Sequence, residues 1–197
     1  MSWAGNAKSW IEWGREDEAR VVELQAWLEP EFEQMTEDLL QCLSSLDGVK
    51  PLMANARFAQ RLQTLVHEWL TGLVDVRCED GCVERRQALG EKLAHLDIAL
   101  EDLVFLEWVA CQRMFSLASE RLQGRPEDLS QTLYVLNKAM MRDRVLVHAG
   151  YLELHDAELE QALLDRFLSI TGFSPTLYES LAEAWRWSQG RIGRDEP

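Results

Sequence analysis

The chain of 197 residues predicts an all-α fold. Three observations carry that reading. Apolar residues recur by threes and fours over most of the length, no alternating run rich in Val, Ile or Thr stands out, and short segments containing Gly, Pro or Asp divide the periodic stretches.

A first helix is expected from about Glu16 to Leu28, with Val21, Leu24 and Leu28 on one face. Pro30 suits the first turn of the next helix, which carries Phe32, Met35, Leu39, Leu40 and Leu43 and runs to about Leu46. Asp47-Gly48-Val49-Lys50-Pro51 breaks it. After Asn55 comes the strongest amphipathic stretch, where Phe58, Leu62, Leu65, Val66, Trp69 and Leu73 share a face. The Asp80-Gly81 turn leads into a helix with Leu89, Leu93, His95 and Leu96, and another starts near Leu100 or Glu101. Leu103, Leu106, Val109, Cys111, Met114 and Leu117 form its stripe, and Gln123-Gly124-Arg125-Pro126 ends it. Pro126-Glu127-Asp128 opens a helix that reaches Tyr151 or beyond, its acids facing the positive helix end. A separate pattern with Leu159, Leu163, Phe167 and Ile170 follows. Thr171-Gly172-Phe173-Ser174-Pro175 then precedes a last one with Leu177, Leu181, Ala184 and Trp185.

Length suits one domain with extensions: residues 1–15 before the core, 16–155 as the core, 156–190 as a helical extension and 191–197 as a tail. Charge narrows the partners. With 20 Lys and Arg against 34 Asp and Glu, the formal net charge of −14 disfavours nucleic acid and anionic membranes. No run approaches the length of a membrane span and the start lacks signal-peptide character, so a cytoplasmic protein is expected. Its four cysteines are then expected reduced, and the Cys78–Cys82 spacing matches neither a zinc knuckle nor a dithiol redox motif.

No nucleophile, base and acid set, phosphate loop or His-Glu metal motif is present, so no enzyme is expected. Glu101-Asp102 reads as acids at a helix start, while His148 and His155 read as exposed or capping residues. Eight tryptophans, among them Trp3, Trp10, Trp13, Trp185 and Trp187 near the ends, suit packing on the core or contact with a second chain. The remaining candidate is His95. An imidazole alone on an apolar helical wall is either a hydrogen-bonded core residue or an iron ligand.

Phe58 to Phe115 resembles the globin-coupled sensors, the protoglobin-like sensor globins at the front of bacterial oxygen-sensing transducers. The likeness lies in Trp69, then His95, then the Ile98-Ala99-Leu100 step, and as helical order it extends from Ala19 to Glu153. The resemblance implies a globin-like fold with extra N- and C-terminal helices and haem b bound to iron-ligating His95. Leu39, Leu40, Leu43, Phe58, Leu62, Leu65 and Trp69 would line that pocket.

One departure bears on ligand choice. Leu39-Leu40 stands where the family usually has Phe-Tyr, so a hydroxyl donor to bound oxygen is missing, at a cost of about 1 to 3 kcal/mol or one to two decades of affinity. Arg57 and His67 read as solvated rather than as substitutes. The resemblance thus implies a sensor of oxygen, carbon monoxide or nitric oxide that forms a homodimer and signals through a separate protein. The alternative is a haem-free globin-fold regulatory module, in which the same leucines fill a solid core.

Overall fold

A computed structural model of the chain describes residues 14–74, 81–172, 174, 176–178 and 180. All the elements in it are helical. Helix α1, Arg15–Leu28, starts where the Gly14 amide donates to the Asp17 carboxylate at 3.0 Å, and Glu16, Asp17 and Glu18 face the positive end of the helix. It buries Val21, Leu24 and Leu28. Pro30 lies within a single 3-10 turn, Glu29–Glu31, from which α2, Phe32–Ser44, continues.

The expected break after α2 contains a short helix, α3, Lys50–Met53, with Pro51 in its first turn, where proline's missing amide costs nothing. Asn55 caps α4, Ala56–Leu73, by accepting from the amides of Arg57 and Phe58. Helix α5, Cys82–Ala94, follows Gly81, whose φ of 91° a glycine adopts freely. Asp97, at φ 59°, turns the chain into α6, Leu100–Arg121.

Helix α7 runs unbroken over Pro126–Thr171, where the sequence pattern suggested two helices. The reason is local: from Tyr151 to Thr171 no Gly or Pro interrupts the chain. Gly172, at φ 70°, ends it. The chain divides into two compact units, Met1–Leu154 and His155–Pro197.

In the first unit α2 packs on α4 and α6, and α5 packs on α4. Leu24, Met35, Leu39, Leu43, Leu62, Leu70, Leu89, Ile98, Met114 and Leu136 are fully buried at the centre. The α6 stripe is displaced from the expected one: Ala110 and Ala118 are buried, while Val109, Cys111 and Leu117 sit half-buried beside the core. Helices α5 and α7 cross almost backbone to backbone. A Cβ on Gly90 would lie 1.9 Å from the Val147 carbonyl oxygen, and one on Gly150 would lie 2.0 Å from that of Gln87.

Cysteine usage departs from expectation. Cys42 and Cys111 are free thiols, but Cys82, buried at the start of α5, is disulfide-bonded rather than reduced. Cys78 and the terminal tryptophans Trp3, Trp10, Trp13, Trp185 and Trp187 lie outside the described residues.

Candidate functional site

The seven apolar residues expected to line a pocket do converge. Leu39, Leu43, Leu62, Leu65 and Trp69 belong to one buried cluster, with Leu40 and Phe58 half-buried against it. They do so because α2 and α4 pack face to face, and each residue lies on the apolar side of its helix. His95 is not among them. It is the C-terminal cap of α5, its amide donating to the Glu91 carbonyl, and its side chain is exposed while Leu93 and Leu96 turn inward.

A second group of residues joins α4 to the later helices. The Trp69 indole N–H donates to the Asp143 carboxylate at 2.6 Å. Arg86, from the inner face of α5, forms an ion pair with the same carboxylate and donates to the Trp69 carbonyl at 3.1 Å. Both charged side chains are more than nine-tenths buried. Burial pushes the Asp143 carboxyl above its ordinary range; Arg86 and the indole oppose that shift, and the Glu107 carboxylate adds to it.

Beside this group, Glu107 of α6 is buried between two basic partners from α7. Its carboxylate accepts from Arg144 Nε at 2.6 Å and lies 2.8 Å from His148 Nε2. His148 is therefore mostly buried against Glu107, in contrast to the exposed or capping residue expected from sequence. Tyr151 closes the row by donating its hydroxyl to the Ile98 carbonyl at 2.8 Å. Burial and then the nearby Glu101 and Asp97 charges raise its phenol above the usual value.

These polar residues escaped the sequence reading, yet they left a signal. Arg86 recurs with Cys82, Leu89 and Leu93, Glu107 with Leu103, Ala110 and Met114, and Asp143 with Ala139, Leu146 and Val147. A charge on an otherwise apolar stripe, repeated on three helices, marks mutual pairing in the core.

The space these helices leave is small. Leu65, Val66, Trp69, Leu93, Leu103, Leu106, Glu107 and Val147 line a partly open cleft of about 20 Å³. On the surface above it, Lys92 of α5 donates to Glu68 of α4 at 2.9 Å, so the two helices meet directly at their rim as well as through Arg86 and Trp69. Arg57 and His67 are exposed on α4, His67 lying 3.3 Å from the Thr36 hydroxyl. Among the described residues there is no group of three or more His, Cys, Asp and Glu side chains placed to hold a metal ion. Nor is any helix long and apolar enough to cross a membrane.

Helices packed in this order around a core between α2, α4 and α6 define a globin fold. The chain belongs to the protoglobin family, which it matches over residues 4–156. No curated protein matches it. Membership implies haem and diatomic-gas binding in general, so the residues must be tested against that group. In this structure they do not fit it: the ligand position is exposed, the lining residues pack in one cluster, and the cleft beside Leu65 and Trp69 is far below the roughly 300 to 1,000 Å³ of ligand pockets.

Proposed function

We propose that the chain is a globin-fold regulatory module that acts through protein contacts with its helical core closed and without haem. The observation that carries this reading is the direct packing of α4 on α5, held by Arg86, Asp143 and Trp69. Contact surface is supplied by α6, where Phe105 and Trp108 stack with ring centroids 6.1 Å apart and lie open to solvent. Exposed aromatics of this kind suit a homodimer or a separate signalling protein in the cytoplasm.

A second reading has its own support. Family membership and the order of His95 before Ile98-Ala99-Leu100 favour haem b on His95, with oxygen, carbon monoxide or nitric oxide as the signal. Taking haem would require α4 and α5 to part. The deciding experiment is the absorbance spectrum of protein expressed with haem precursor, followed by titration with hemin, for the natural chain and His95→Ala. A colourless protein that leaves hemin unbound supports the closed module. A Soret band that responds to reduction and carbon monoxide, and changes in His95→Ala, overturns it in favour of the sensor.

A further inference from the structure

We propose that the cleft between α1 and the end of α6 is a binding site for a free amino acid with an apolar side chain. The cleft is half open and measures about 350 Å³, within the range of small-ligand pockets. Its floor is apolar: Leu24, Leu28, Met114 and Ala118 are buried, and Trp27 and Leu117 form half-buried walls. All its lining residues belong to α1, the 3-10 turn after it and α6. The site is therefore separate from the contact of α4 with α5 and stands or falls independently of the closed-core reading.

Three charged side chains complete the lining, Glu31, Glu120 and Arg121. None of them makes an ion pair among the described residues. The Arg121 guanidinium lies over the Trp27 ring, 5.5 Å from its centroid. That contact steadies a long, flexible side chain at the mouth of the cleft without giving its charge a carboxylate partner.

The charges select the ligand. An anion alone would meet two carboxylates in a chain whose formal net charge is −14, and a cation alone would meet Arg121. A zwitterion answers all three groups. At neutral pH a free amino acid carries a carboxylate and an ammonium on one carbon. Arg121 offers the carboxylate a planar, two-pronged donor, and Glu31 and Glu120 take the ammonium. The side chain then descends onto Leu24, Met114 and the Trp27 ring, where a polar one would lose its water without gaining a partner.

Isothermal titration calorimetry of the full chain with L-phenylalanine and L-leucine tests it. Three controls each lack one feature: phenethylamine has no carboxylate, 3-phenylpropionate has no ammonium, and L-glutamate has no apolar side chain. At least one of the two apolar amino acids should bind with a Kd below about 1 mM, and the controls should bind about tenfold more weakly or worse. Arg121→Gln should weaken the amino acid about tenfold and leave phenethylamine unchanged. Glu31→Gln combined with Glu120→Gln should weaken both and spare 3-phenylpropionate. The substituted side chains are exposed or half-buried, and circular dichroism checks that helix content is kept. Absence of binding by both amino acids at about 10 mM overturns the proposal. So does binding that Arg121→Gln leaves intact, which would place the amino acid elsewhere, or phenethylamine matching L-phenylalanine, which would make the cleft a plain amine site. Self-association weakened by Arg121→Gln, with no amino acid bound, would make a second copy the occupant and likewise overturns it.

Discussion

Replacing Asp143 by Leu isolates what the buried network contributes. The substitution removes the counter-charge that Arg86, 6 % exposed, has among the described residues, and the acceptor of the Trp69 indole. Breaking one side of a buried pair costs about 3 to 5 kcal/mol, because the surviving charge stays out of water without compensation. For a unit of this size each kcal/mol lowers the melting temperature by about 2 to 4 °C, so a fall of about 6 to 20 °C is expected. Adding Arg86→Met removes the stranded charge. The double variant then retains chiefly the unpaired indole, about 1 to 3 kcal/mol, and should be more stable than the single one. Urea unfolding followed by tryptophan fluorescence gives both values. If Asp143→Leu costs under about 1 kcal/mol, or if the double variant is no more stable than the single, the network is open to water and the closed-core argument fails.

Two further outcomes follow from other contacts. Gly90→Ala should destabilise by about 3 kcal/mol or more, despite alanine's higher helix propensity, since its methyl would meet the α7 backbone at Val147 rather than a side chain able to move; denaturant titration reads it directly. Asp17 and Lys138 pair at 2.8 Å; burial works to raise the Asp17 carboxyl, but the Lys138 ammonium and the Gly14 amide outweigh it and bring it below its ordinary value. A carboxylate lowered by folding lends stability above its unfolded value of about 3.9 and loses it as pH falls through the folded one. Lys138→Met should therefore cost up to about 1 kcal/mol at neutral pH and nothing once Asp17 is protonated in the folded protein, read as melting temperatures across an acid series.

Helix period, the helix start after Asn55, the Gly124 and Gly172 stops and the apolar faces of α2 and α4 were all legible in the sequence, because backbone hydrogen bonding and side-chain direction along a helix are local. Even so, the α3 turn was missed and α7 was divided in two. Leu39, Leu43, Leu62, Leu65 and Trp69 fall in one buried cluster, since residues on apolar stripes have little choice but to face the core.

What lay beyond the sequence was the distance between stripes. Whether those leucines surround a group or touch each other depends on how closely α4 approaches α5, and that is decided by Arg86, Asp143 and Trp69, which stand 17 to 74 positions apart. Likewise, the periodicity of α5 allows His95 to be near the core, but the chain leaves its helix at Ala94 and the side chain turns to solvent. The sequence by itself determined which surfaces become apolar and therefore the globin-type order of helices. Tertiary packing alone decided that the charges of three helices meet in the middle and close the space, because a buried charge can be satisfied only by a partner that the fold delivers.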